Sequence, residues 1–235
     1  MMAQRGFTYL PNIDAKRIRE MFRGGDWGVL QEELRAACYE RVGFDRLLTI
    51  VLDMQATFGR WGGFDVLDVG CNTGLFSYGM AAFGNRVVGI DSSVIDTQQR
   101  YDELGPGAAG DGAADDPGGT GVVLRRADIR EFLRQDDRRW DIILLLSVAH
   151  HWETGYAHSG LDVFPPEEIS WVVGRLIQSA RYAIYYECPL DEPGFEPSYG
   201  RKFLDRFAAR KLAVSRVGLT VGPNGYPREL LRLEA

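Results

Sequence analysis

Residues 66–74 read VLDVGCNTG, an apolar run carrying Asp68 and closed by Gly70 and Gly74, and a helix-like segment follows from Leu75 to Phe83. No other stretch restricts the fold so tightly. A buried strand that turns directly into a helix needs glycine where the backbone takes unusual dihedral angles or must lie bare against a neighbour. A second apolar run, Arg86-Val87-Val88-Gly89-Ile90, then ends in Asp91. Strand, glycine turn, helix and strand make a βαβ unit and hence a parallel sheet. An acid at the tip of the second strand is placed to accept hydrogen bonds from both hydroxyls of a ribose. A plainer reading makes Asp68 and Gly70 the end of a buried strand and Asp91 the cap of a helix starting near Ser92 and Ser93. That accounts for either piece alone but not for both at this separation, so the unit reads as a nucleoside pocket.

The glycine spacing narrows the nucleoside. A dinucleotide fingerprint places its glycines as Gly-x-Gly-x-x-Gly so that a helix N-terminus reaches a pyrophosphate. Here the pattern is Asp68-x-Gly70-x-x-x-Gly74. In these residues the chain resembles the class I S-adenosylmethionine-dependent methyltransferases, with Asn72 standing where that family usually has its central glycine. The resemblance runs from about Phe44 to Glu187. It implies an α/β fold: a Rossmann-like sheet of seven strands, mostly parallel with an antiparallel last strand, plus N-terminal helices. It also implies S-adenosyl-L-methionine as cofactor, with Asp68, Gly70, Cys71, Asn72 and Gly74 beneath the methionine part and Asp91, with Ser92, at the ribose. Val122-Val123-Leu124 leads to Asp128 and Ile129, which match the family's third motif, where an acid and the next backbone N–H meet the adenine. Asp128 is equally well placed to cap the segment from Arg130 to Gln135.

Length and charge bound the alternatives. A chain of 235 residues holds one sizeable α/β domain with a helical attachment. The net charge of −6 and the absence of a lysine- or arginine-rich tract argue against nucleic acid as partner. The three cysteines Cys38, Cys71 and Cys188 are odd in number and lack Cys-x-x-Cys spacing, which predicts reduced thiols in a cytoplasmic protein. No apolar run approaches the length of a membrane span, so a soluble protein is expected. Oligomeric state is not legible.

The domain plan follows from patterning. Phe44, Leu47, Leu48, Val51, Leu52 and Gln55 fall at helical spacing. Residues 14–22 and 29–41 are weaker helical candidates, parted by Arg23-Gly24-Gly25-Asp26, and residues 1–43 are expected to form a helical extension or lid on the domain at 44–235. The stretch 105–121 holds seven glycines and two prolines and is expected to be a mobile loop without catalytic residues. Residues 140–147 are continuously apolar, as a central parallel strand should be. Pro165-Pro166-Glu167-Glu168 opens a helix, Arg181 to Glu187 reads as strand, Phe203 to Arg210 as helix and Leu212 to Val217 as strand. Leu230 to Leu233 is expected to pair with the last of these across Gly222-Pro223-Asn224-Gly225.

All three histidines, His150, His151 and His158, fall just beyond the central strand. Ligands of open α/β sheets bind at the carboxyl ends of strands, so Ser147 through Trp152 should face the methyl donor. The wording of this segment also resembles, more weakly, methyltransferase domains that cap bacterial O-antigen polysaccharides. That implies O-methylation of a hydroxyl or phosphate on a small molecule or glycan. A histidine is suited to remove an alcohol proton as the bond forms, an effect worth about 10²–10⁴-fold. His151 is the favoured base, ahead of His150. Trp152, His158 and Glu187 are candidate acceptor contacts; Glu187 reads equally as orienting a histidine or as a solvent-exposed strand end, and Trp152 and Tyr156 as a sugar-stacking wall or ordinary packing. A metal site built from the histidines with Glu153 or Glu187 is a rival, although the spacing matches no zinc pattern and no metal is expected. RNA methylation and a catalytically silent cofactor-binding subunit are the alternative functions.

Overall fold

The computed structural model describes residues 42–72, 74–92, 121–155, 163–190, 194–196, 198–208, 211–221 and 226–234. The helical candidates at 14–22 and 29–41, the glycine-rich stretch 105–120, Tyr156, His158 and the turn 222–225 lie outside these.

The helix expected near Phe44 is α1 (Val42–Phe58). It turns Leu47, Ile50, Val51 and Met54 into the core and leaves Leu52 exposed, the stripe that helical spacing dictates. The βαβ unit follows as β1 (Asp65–Val69), α2 (Leu75–Ala82) and β2 (Arg86–Asp91). Next come β3 (Val122–Arg126), α3 (Ile129–Gln135), β4 (Trp140–Leu146) and α4 (Ala149–Thr154). The chain closes with α5 (Pro166–Ser179), β5 (Ala180–Pro189), α6 (Tyr199–Phe207), β6 (Ala213–Val221) and β7 (Pro227–Glu234).

The seven strands lie in the order β3-β2-β1-β4-β5-β7-β6. The first five are mutually parallel, and β7 runs antiparallel to both β5 and β6. Both the strand count and the antiparallel last strand are as the sequence predicts. The strand β6 reaches four residues further than expected, to Val221, because a register shift between Arg216 and Gly218 lets pairing resume beyond the point where alternation falters. Helix α6 begins at Tyr199 and ends at Phe207, earlier than the predicted 203–210.

The core has two halves, one on each face of the sheet. Val66, Ile142 and Leu144 pack with α1 and α2, whereas Leu67, Val69, Ile143 and Leu145 pack with α3, α5 and α6. Burial of each such side chain contributes about 1.5–3 kcal/mol, and a strand covered on both faces tolerates no polar residue in its middle. Every residue of β4 is accordingly buried. Connections from β1 and β4 leave toward opposite edges of the sheet, so a crevice opens at the carboxyl ends of these two neighbours, where Gly70 and Ser147 sit.

Candidate active site

The floor of the crevice is the turn after β1. Gly70 takes φ 73°, Asn72 φ 47° and Gly74 φ 81°, all left-handed. A Cβ on Gly70 would lie 2.9 Å from Cγ2 of Val148, so any larger residue collides with the segment that follows β4. Gly70 and Cys71 both donate their N–H groups to the Ile90 carbonyl, at 2.8 and 3.0 Å, which ties the turn to β2. Asn72 fills the place of the family's central glycine because asparagine tolerates the left-handed region better than other side chains. Gly89 contributes in the same way: a Cβ there would approach Ser77 Oγ to 2.7 Å and Cys71 Cβ to 2.9 Å. Only glycine lets β2, the turn and α2 pack this closely, a requirement that the sequence pattern around Gly89 does not announce.

Two carboxylates flank this turn. Asp91, at the end of β2, accepts the Asn72 N–H on Oδ2 at 2.8 Å. Asp68 is 2% exposed and accepts from the Ser77 hydroxyl at 2.6 Å. Burial, opposed by the Ser77 hydrogen bond and reinforced by the Asp91 charge, raises the Asp68 pKa to about 7. Ser92 follows Asp91 at the rim, half-buried. Bare backbone, a carboxylate at a strand tip and an apolar wall fit a nucleoside carrying an amino-acid tail, which is the shape of S-adenosylmethionine.

At the end of β3, Asp128 caps α3 by accepting the Arg130 N–H at 2.7 Å. The Arg130 guanidinium binds Asp128 at 2.8 Å and Glu168 at 2.8 Å and lies over the Phe164 ring, 4.2 Å from its centroid. Burial works against the Asp128 charge, but the Arg130 side chain and backbone hold its carboxyl below the ordinary range. Ile129 is buried beside it.

The segment after β4 is the short helix α4. His150 is 3% exposed and His151 half-buried, with ring centroids 4.0 Å apart. Phe195 meets the His150 ring edge-on at 5.3 Å. His150 Nδ1 is buried and has no hydrogen-bond partner among the described residues. Burial, then the neighbouring His151 and Arg228, pushes His150 well below the usual imidazole range, and burial with Arg228 brings His151 down to about 4. Both are therefore neutral at physiological pH.

Two acceptor candidates are corrected. Trp152 is 1% exposed, stacked on Phe164 and in contact with Phe203, so it is a core residue that no acceptor can touch. Its position in α4, one residue beyond the half-buried His151, turns it inward. Glu187 is fully buried and not at an open strand end. It receives Arg46 Nη1 at 2.7 Å, Thr220 Oγ1 at 2.6 Å and the Ser147 hydroxyl, with Arg228 at 4.0 Å. Burial raises its pKa, but the Arg46 charge and the two hydroxyl donors outweigh this and leave it below the ordinary value. Arg46, Thr220 and Arg228 escape a reading of the sequence because their common partner lies far away along the chain.

Among the described residues no cluster of His, Cys, Asp or Glu is arranged to hold a metal ion, and no helix is long and apolar enough to cross a membrane. Cys71 and Cys188 are buried, and burial with the Glu229 and Glu187 charges pushes the Cys188 thiol up to about 12.

Comparison with known proteins agrees with this geometry. Residues 67–158 match the family described as a methyltransferase domain. No curated protein matches the sequence. Among solved structures, the bifunctional kinase-methyltransferase WbdD superposes with a TM-score of 0.57 at 20% identity, over 80% of this chain and 39% of that one. The chain thus spans about two fifths of WbdD. Magnesium protoporphyrin IX methyltransferase (ChlM) from Synechocystis PCC 6803, solved with bound SAM, gives 0.56 at 21% identity, over 94% of this chain and 96% of that one. The strand order, the bare turn and the methyltransferase domain matched at residues 67–158 together give this chain the fold of the class I S-adenosylmethionine-dependent methyltransferases.

Proposed function

We propose that the protein transfers a methyl group to an oxygen, either a hydroxyl or a phosphate, on a small molecule or glycan; a hydroxyl gives up its proton to a histidine of the pair, whereas a phosphate is already ionised and needs only positioning. The observation that carries this reading is the pair itself: two neutral imidazoles beside the turn at the crevice. A neutral imidazole can accept a proton, and a hydroxyl acceptor must lose one as it attacks. The sequence likeness to O-antigen-capping domains and the structural likeness to the kinase-methyltransferase WbdD favour a glycan acceptor.

When bound, S-adenosylmethionine supplies a methyl carbon activated by a sulfonium. In this proposal Asp91 and Ser92 hold the ribose, and Asp68, Gly70, Cys71, Asn72 and Gly74 support the amino-acid part. Asp128 and Ile129 border the adenine, with Asp128 keeping its cap to Arg130. Ser147 lines the donor side. His151, the more exposed of the pair, is the proposed base, and His150 backs it. His158 remains a proposed acceptor contact, outside the described residues. Residues 44–235 form the proposed catalytic domain, with 1–43 as its helical extension; α1 supports this by carrying Arg46 to Ser147 at 3.2 Å. Three cysteines far apart along the chain, without Cys-x-x-Cys spacing, favour a cytoplasmic setting.

The test is a transfer assay with radiolabelled donor against hydroxylated acceptors and sugar phosphates. His151→Ala or His150→Ala should abolish transfer while calorimetry shows adenosylhomocysteine binding retained. Full turnover in both variants would remove the histidine from the mechanism.

A further inference from the structure

Ser147 is one of three non-glycine residues with positive φ among those described, at 59°. For an L-residue that conformation costs roughly 1–2 kcal/mol, and it persists only where the surroundings over-determine it. Here one residue does so. The Ser147 N–H donates to the Glu187 carbonyl at 3.3 Å, and the Ser147 hydroxyl donates to the Glu187 carboxylate. Glu187 sits on β5 opposite Leu146, so the strained residue is the first beyond the β4 pairing. After Val148 and Ala149, His150 begins the pair.

The same carboxylate is held from two other directions. Arg46 on α1 reaches Oε2 at 2.7 Å and touches Ser147 Oγ at 3.2 Å, and it also lies over the Phe76 ring of α2 at 5.0 Å. Thr220 on β6 donates to Oε1 at 2.6 Å. A buried carboxylate with this many charge-assisted bonds has no rotamer freedom left. What it fixes is the direction in which the chain leaves β4: Val148 is set against Gly70, and the two imidazoles follow in the next turn.

We propose that Glu187 is a positioning residue for the histidine pair, acting through its grip on the left-handed Ser147, with Arg46 and Thr220 holding the carboxylate in place. The proposal rests on the reading of His150 and His151 as the acceptor-facing pair, and it assigns Glu187 no contact with acceptor or donor.

Glu187→Gln is the obvious variant, but it strands the buried Arg46 charge and risks unfolding. Two milder variants carry the test. Ser147→Ala removes the hydroxyl link, and Thr220→Val cuts the bond at the far oxygen while leaving Ser147 and both histidines intact. The full chain has only three histidines, so their imidazole signals can be assigned by single His→Gln substitutions and titrated by NMR. In both folded variants the His150 or His151 midpoint should move by about half a pH unit or more, roughly threefold in proton affinity. Histidine signals of folded Ser147→Ala superimposable on wild type would overturn the proposal. So would a response to Ser147→Ala with none to Thr220→Val, because Ser147 would then act without Glu187. Should Ser147→Ala not fold, Thr220→Val decides alone. Adenosylhomocysteine binding to the wild-type chain is read separately by calorimetry. Its absence refutes the donor reading, whereas binding with unmoved histidine spectra refutes only the positioning.

Discussion

Oδ2 of Asp91 accepts the backbone N–H of Asn72 at 2.8 Å, so the carboxylate at the tip of β2 braces the turn that follows β1. One side chain therefore serves both halves of the proposed donor pocket: it shapes the floor and faces the sugar.

Asp91→Ala should lose both functions. Hydrogen bonds to a charged group are worth about 1.5–3 kcal/mol, so affinity for adenosylhomocysteine should fall about 10- to 100-fold in calorimetry. An unchanged Kd would show that this carboxylate does not hold the ligand.

Gly70 and Gly84 separate strain from collision. Both have positive φ, at 73° and 84°, but a Cβ on Gly70 meets Val148 while one on Gly84 meets nothing within 4 Å. Gly84→Ala should cost about 1 kcal/mol, the backbone cost alone, and Gly70→Ala about 2–4 kcal/mol. Urea unfolding of the two variants side by side checks the difference. Equal losses would mean that Val148 moves aside freely.

Asp68 makes stability depend on pH in a direction unusual for a carboxylate. Burial, its largest cause, places the folded pKa at about 7 against an ordinary 3.8. Its contribution is fully present below pH 4 and is lost as pH rises toward 7, because the unfolded chain releases the proton first. Asp68→Asn cannot ionise and still accepts from Ser77. Relative to wild type it should therefore gain stability between pH 4 and 7, by an amount on the order of a few kcal/mol at most. A constant difference in melting temperature across that range would refute the raised pKa.

In the proposed mechanism the histidine pair sets the acid limb of catalysis. Burial first, and the Arg228 charge with it, lowers His151 to about 4 and His150 well below its ordinary value. A base must be unprotonated, so kcat/KM should hold steady through pH 6.5 and fall only toward pH 4. Stability carries the same sign: it is present above pH 6.5 and lost as pH falls through the window to 4, where the unfolded chain takes up protons and the folded one does not. A pH–rate profile with parallel unfolding controls tests this. An inflection near 6.5 would show a solvated base.

The sequence made the βαβ unit of the proposed donor pocket legible because its parts are local. Asp68, Gly70, Gly74 and Asp91 belong to one βαβ unit, in which spacing alone dictates geometry, and the apolar run Ile142–Leu146 reads as a strand covered on both faces. The surroundings of Ser147 and the histidine pair are assembled from residues that pattern cannot join. Arg46 and Glu187 are 141 positions apart, and nothing in either neighbourhood announces the other. Trp152 reads wrongly as an acceptor contact for a related reason: a six-residue helix is too short to show a period, so the inward turn of its fourth residue is invisible before the fold is known. The early end expected for β6 reflects a register shift that no alternation pattern encodes.

The insertion of β7 between β5 and β6 has a consequence for biosynthesis. Glu187 takes one partner from α1, made early, and another from β6, which joins the sheet only through β7, made after it. A growing polypeptide that has emerged only as far as β5 carries an acid whose desolvation is not yet fully compensated, so ribosome-bound intermediates should leave that half of the sheet open to water. Protease resistance around residue 187 should appear only once the β6–β7 hairpin has left the exit tunnel.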